Sequence, residues 1–217
     1  MQILDNSLRD QIGETFVSQK QFSEQLRKSE YKERLQILKR FEEVFRASFD
    51  EMYEAAAKDF CRPKTEVDMT EIMVVLSELA IVRKNLKKWM KPKKVLPTLL
   101  LFGTSSQIIK EPKGVTLIIS PWNYAFNLTF NPMISAIAAG NTVIIKPSEH
   151  SPNMSRVIEK IVTDSFESKH VSIFQGDSSV AEHLTNMPFD HIFFTGSPEI
   201  GKLSLIHISE PTRPSSI

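Results

Sequence analysis

"VTLIISPWNYAFNLTFNPMISAIAAGNTVIIKPSE" (Val115–Glu149) sets two short apolar, β-branched runs, residues 115–120 and 142–146, on either side of a segment with helical spacing. In that segment Met133, Ile134, Ile137 and Ala138 recur at three- and four-residue intervals, and Gly140 with Asn141 closes it as a helix stop. Strands this apolar, without alternation, belong to a sheet buried on both faces. The unit therefore reads strand–helix–strand. Outward to the C-terminus the alternation continues. A helix carries Val157, Ile158 and Ile161, and a strand follows at 171–174. A short helix runs from Asp177 to about Leu184, and a strand at 191–194 closes the series. Strands alternating with helices predict an open parallel sheet, an α/β fold.

Outward to the N-terminus the texture is helical. Leu35, Leu38, Phe41, Phe45 and Phe49 share one face, and so do Ile72, Val75, Leu76, Leu79, Val82, Leu86 and Trp89, with Pro92 beyond them as a stop. Between the two stripes, "KDFCRPKTEVDMTE" carries Pro63 and a candidate N-cap at Thr65. The stretch "TLLLFGTSSQIIKEPKG" (98–114) reads as a hairpin of two short strands around Gly103.

Composition narrows the function classes. The 217 residues are 41% hydrophobic and 24% charged with a net charge of +1, which is ordinary for a chain with a sizeable core and leaves no footprint for nucleic acid or an acidic membrane. The lysines at 87, 88, 91, 93 and 94 read as a solvated helix end. A single cysteine, Cys61, excludes an intramolecular disulfide and suits a reducing cytoplasm. No apolar run reaches the ~20 residues a membrane span needs, and the N-terminus lacks a secretory pattern.

In an open α/β sheet, ligands bind outside the carboxyl ends of the strands. Three such ends carry unusual residues: Ser120 to Tyr124, Lys146 to Glu149, and Thr195 to Lys202. Each has a plain structural alternative: a turn with a packed indole, a helix entry after Pro147, and a strand-to-helix turn capped by Ser197. Their functional readings are specific. The Asn123 side-chain amide can donate to an oxyanion developing on a carbonyl. Lys146 and Glu149 together suit ribose hydroxyls, which donate and accept, and the carboxylate repels a 2′-phosphate. Backbone amides at Gly196 and Ser197 suit a pyrophosphate. The pattern G-x-x-x-x-G-K at 196–202 is not a P-loop, because Leu203 stands where the magnesium-binding hydroxyl belongs.

These motifs resemble the aldehyde dehydrogenases. "EPKGVTLIISPWNYAFNLTFNPMISAIAAGNTVIIKPSEHSP" (Glu111–Pro152) is similar to that family's cofactor-domain signature almost throughout, and "HIFFTGSPEIGK" (His191–Lys202) resembles its nicotinamide-side glycine turn. The "KPSE" and "PWNYAFNLT" spellings point to the class 3, fatty-aldehyde-like branch. The resemblance covers residues 5–203. It implies a Rossmann-like sheet that is incomplete here, with a helical part over 1–92, an oligomerisation hairpin over 93–112, and the cofactor-binding sheet over 113–203. It implies Asn123 as the catalytic oxyanion amide, Lys146 and Glu149 on the adenosine ribose, Ser120, Pro121 and Trp122 lining the cofactor cleft, and Gly196, Ser197 and Gly201 in the nucleotide turn. It also implies NAD or NADP as cofactor, NAD being favoured by Glu149, with an aldehyde as substrate, a homodimer at full length and a cytoplasmic location. The reaction implied is oxidation of the aldehyde through a cysteine thioester.

The same resemblance places the nucleophilic cysteine and the general-base glutamate, in a Glu-Leu-Gly-Gly-Lys stretch, downstream of Gly196, and neither stretch occurs in the 217 residues. Cys61, between N-terminal helices, reads as an incidental thiol. Residues 204–217, "SLIHISEPTRPSSI", read as a non-native tail on a chain inactive by itself. Two alternatives stand beside the dehydrogenase: a non-catalytic nucleotide-binding or dimerising fragment, and a reductase of the same superfamily, against which the spellings at 121–123 and 146–149 speak.

Overall fold

Val143, Ile145, Ile118 and Val171 lie on one side of a sheet, and Leu117, Ile119 and Ile144 on the other, because successive side chains of a strand alternate in direction. The computed structural model, which describes residues 5–96, 98, 100 and 102–196, places these residues in a four-stranded parallel sheet. Its strands are β3 (Val115–Ile119), β4 (Thr142–Lys146), β5 (Val171–Ile173) and β6 (His191–Phe194), in the order β5-β4-β3-β6. Val115 aligns with Thr142, and Ile119 with both Lys146 and Phe194. All four strands expected from the sequence are present, β4 and β6 with the expected bounds.

Helices pack on both faces of β3, β4 and β5, while β6 at the edge stays partly open, its Phe193 40% exposed. On one side pack α2 (Tyr31–Ala47), α3 (Phe49–Phe60), α5 (Met73–Trp89), α6 (Ala125–Ala139) and α7 (Pro152–Ser165). Phe41 is the hub of this core, with ring centroids of Phe45, Phe130 and Phe166 at 5.7, 5.2 and 5.8 Å. On the other side Ile12 of α1 (Asn6–Leu26) meets Val180 and Leu184 of α8 (Ser178–Thr185). Gln19 pins α1 to the sheet end, its Nε2 donating to the carbonyls of Val143 and Ser168, both at 3.0 Å.

Helix ends follow their local chemistry. Gly140 ends α6 at φ 90°, and an added Cβ there would lie 2.5 Å from the Arg34 guanidinium, which itself caps α6 by donating to the Ala138 carbonyl. Asp59 of α3 caps α7 from a distance, accepting from the Asn153 and Met154 amides at 3.2 and 2.9 Å. Asp177 is the N-cap of α8.

Five local expectations are corrected. Thr65 is not an N-cap: Pro63, extended at ψ 152°, holds that position before α4 (Lys64–Val67), so Thr65 lies inside the first turn. α4 runs through a π-helical turn, Asp68–Ile72, into α5. The hairpin is shifted: β1 (Lys93–Val95) pairs antiparallel with β2 (Ser106–Ile108), Lys93 opposite Ile108. Leu100 and Phe102, taken for part of its first strand, fall in the connection and are almost fully exposed, while Leu99 and Leu101 lie outside the described residues. Pro97, with no N–H for a ladder, follows β1 closely. The lysine cluster splits, Lys87 and Lys88 in the last turn of α5 and Lys93 and Lys94 in β1. Trp89 ends its stripe exposed, and Phe49 belongs to α3 rather than to the helix of Phe45.

Candidate functional site

β3 is flanked by β4 on one side and β6 on the other, and the chain passes from β5 across to β6 on the far side of β3, so the switch point of the sheet, where open α/β folds bind ligands, lies between the carboxyl ends of β3 and β6. Around it lie the loop after β3, the turn after β4 and the end of β6.

Ser120 closes β3. Its amide donates to the Lys146 carbonyl at 3.1 Å, and its hydroxyl accepts from Thr129 at 2.6 Å. It is buried and anchors the loop to the sheet and to α6. Pro121 is half-buried. The Trp122 ring, 48% exposed, lies 5.4 Å from that of Phe60. Asn123 is exposed, and its side-chain amide has no hydrogen-bond partner among the described residues, so it is free to donate.

The backbone beneath Asn123 is held by two residues that sequence reasoning missed. Arg62 follows Cys61, which ends α3 in the left-handed region at φ 54° and turns the chain toward the β3 loop. Arg62 Nη1 donates to the Asn123 carbonyl at 3.2 Å and to Glu71 Oε1 at 2.5 Å, Nη2 donates to Thr70 at 2.9 Å, and the guanidinium sits 5.1 Å from the Tyr124 ring centroid. Glu71, 0% exposed, lies on the π-helical turn, and its Oε2 accepts from the Phe126 and Asn127 amides at 2.7 and 3.4 Å. Burial raises its carboxyl above the usual range, against the opposing pull of Arg62 and the two amides. The first-turn amides of α6 are therefore occupied by the protein's own carboxylate. A signal existed: Glu71 lies four residues before Val75, a charge on an apolar stripe.

At the end of β4, Lys146 is 3% exposed and its Nζ donates to Glu149 Oε2 at 2.6 Å. For Glu149, burial works upward, but the Lys146 hydrogen bond and charge prevail and hold the carboxyl below its ordinary value. Asp177, held low by its bonds from Ser179, also feels the Lys146 charge, so this ammonium stands between two acidic positions.

β6 ends beside β3, where the Thr195 amide donates to the Ile119 carbonyl at 3.1 Å. Gly196 follows, exposed. An added Cβ there would lie 2.5 Å from the tip of the Phe194 ring, so a larger residue requires that ring to move. Ser197 and Gly201 lie outside the described residues. Cys61 is an exposed free thiol. Among the described residues no cluster of three or more His, Cys, Asp or Glu side chains could hold a metal, and no helix is long and apolar enough to cross a membrane.

The chain is 39% identical over 206 residues to the 4,4'-diaponeurosporen-aldehyde dehydrogenase of Staphylococcus aureus, covering 95% of this chain and 45% of that one. It is 40% identical over 200 residues to the putative aldehyde dehydrogenase AldX of Bacillus subtilis, covering 92% and 45%. Mouse aldehyde dehydrogenase family 3 member B2 matches at 38% over 166 residues, 76% of this chain and 35% of its own. The chain thus spans less than half the length of these relatives. Among solved structures, the substrate-bound state of Staphylococcus aureus AldH superposes with a TM-score of 0.89 at 40% identity, over 92% of this chain and 43% of that one. The model of the "Aldehyde dehydrogenase family" matches residues 6–212, beyond Leu203, where the sequence resemblance was expected to end. A parallel sheet with its switch point at β3, these relatives, and a family match over nearly the whole sequence agree: the chain belongs to the aldehyde dehydrogenase family.

Proposed function

We infer that this chain supplies the cofactor-binding and oxyanion-stabilising half of an NAD(P)-dependent aldehyde dehydrogenase. The observation that carries this reading is the Lys146–Glu149 pair, a buried ammonium bonded at 2.6 Å to a part-exposed carboxylate at the carboxyl end of β4. A vicinal diol fits such a pair, taking a hydrogen bond from the ammonium and giving one to the carboxylate. The low Glu149 pKa keeps that carboxylate charged, which opposes a 2′-phosphate and favours NAD over NADP. Glu71 already fills the start of α6, so we place the cofactor's diphosphate at the turn after β6, with Gly196, Ser197 and Gly201. Ser120, Pro121 and Trp122 would form the wall between the two places. NAD(P) supplies the two-electron acceptor.

Asn123 would steady the oxyanion formed when a thiolate adds to an aldehyde carbonyl, its amide being free and borne on an anchored loop. The thiolate would come from outside these residues, since Cys61 ends α3. We extend the reading to a cytoplasmic protein that pairs with a second copy through the β1–β2 ribbon, and to residues 1–92 and 113–203 as the cofactor domain. Exposed Leu96, Leu100 and Phe102 at that ribbon support a second reading, a dimerising nucleotide-binding fragment without catalysis.

Calorimetric titration of the chain with NAD+ and NADP+ tests the assignment. NAD+ is expected to bind more tightly, Lys146→Ala to weaken it about tenfold or more through loss of a charged hydrogen bond, and Glu149→Gln to narrow the difference between the two nucleotides. Absence of binding to both, or equal binding by Lys146→Ala, overturns it.

A further inference from the structure

We propose that Arg62 and Glu71 are a positioning pair for Asn123, one holding the peptide from which its amide projects and the other holding the start of the helix that follows. The inference rests on the reading of Asn123 as an oxyanion donor.

A donor of this kind is effective only if its direction is fixed before charge develops. Yet the Asn123 side chain is exposed and without a hydrogen-bond partner among the described residues, so those contacts do not fix it. What is fixed is its attachment. On the N-terminal side, Ser120 is bonded to Lys146 and Thr129. At Asn123 itself, Arg62 reaches across from the end of α3 to the carbonyl, with its guanidinium near the Tyr124 ring. On the C-terminal side, Glu71 takes the Phe126 and Asn127 amides, and the Asn127 side chain donates to the Thr70 carbonyl at 3.1 Å. Arg62 and Glu71 are also bonded to each other, so both attachments share one rigid joint. A buried ion pair is a weak stabiliser compared with an apolar replacement, because both charges are desolvated. The placement of this one, on a π-helical turn and under the loop at the sheet's switch point, is accounted for by loop geometry.

The test uses the 217-residue chain with 15N labelling and the variants Arg62→Lys and Glu71→Gln. Arg62→Lys keeps a cation but lacks the planar fork needed to reach Glu71, Thr70 and Asn123 together. Backbone 15N relaxation reports order at Asn123 and Tyr124, hydrogen exchange reports the Phe126 amide, and the thermal midpoint reports folding. Expected in folded variants are loss of order at 123–124 and exchange at Phe126 faster by about tenfold or more, with amides in the middle of α5 and α6 unchanged. Unchanged order and exchange, or acceleration spread evenly over both helices, overturns the proposal and leaves the pair a plain structural contact. Should Arg62→Lys not fold, Thr70→Val, which deletes one Arg62 partner, is read in the same way. NAD+ titration of the unmutated chain separates the two readings. Absent binding with the expected local loosening sinks the cofactor assignment alone, whereas normal binding with no loosening sinks the positioning pair alone.

Discussion

His170 offers the sharpest test of the packing between α1 and the sheet. It is 6% exposed, edge-on to Phe22 at 5.6 Å and to Phe166 at 5.9 Å, and its Nε2 has no hydrogen-bond partner among the described residues. Burial lowers its pKa from 6.5 to about 4, against the Asn141 carbonyl and Glu167, which favour the charged form, and with Lys169 adding to the depression. The unfolded chain takes up a proton near pH 6.5, whereas the folded one resists until near pH 4. Stability therefore falls as pH drops through this window and is complete above it. At 1.36 kcal/mol per unit, the whole shift corresponds to about 3 kcal/mol, of which about 2 kcal/mol is already lost at pH 5. Urea unfolding at pH 7.5, 6 and 5 should show that decline, and His170→Gln, whose amide can still donate to Asn141 but does not titrate, should remove most of it. His183 and His191, also depressed by burial, remain in both proteins and cancel in the comparison. Equal pH slopes for the two proteins would refute the assignment of a buried neutral His170.

Three further outcomes are expected. Gly140→Ala combines a left-handed φ of 90° with a Cβ placed 2.5 Å from the Arg34 guanidinium, and thermal melts should show a loss of about 1–3 kcal/mol. Asp59→Ala strips two amides at the start of α7 of their acceptor and should cost about 1–2 kcal/mol, with faster hydrogen exchange confined to the first turn of α7. Phe41→Ala, at a site 0% exposed and ringed by three phenylalanines, should cost about 3–5 kcal/mol in urea titrations, and a cost under 1 kcal/mol would mean that the core collapses into the space.

The sheet was legible because its strands are apolar on both faces and each is separated from the next by a segment of helical period. Val115–Ile119 and Thr142–Lys146 have no other comfortable place. The ribbon was misplaced for the same reason: Leu100 and Phe102 are apolar yet exposed, and apolarity alone cannot tell a strand from a loop that faces solvent in the isolated chain. Asn123, Lys146 and Glu149 were legible as polar residues interrupting apolar runs at strand ends. Arg62 was not, and Glu71 showed only as a charge on an apolar stripe, since their partners lie 61 and 55 residues away and local pattern carries no trace of a carbonyl or an amide that distant. Thr65 failed as a cap because Pro63 took over the entry to the helix by its extended backbone.

The carboxylate lodged at the start of α6 has a practical consequence. Sulfate and phosphate in crystallisation and assay buffers commonly settle on the free amides that begin a helix, and here those amides are already in use. Exchanging one buffer anion for another will leave this corner of the protein undisturbed.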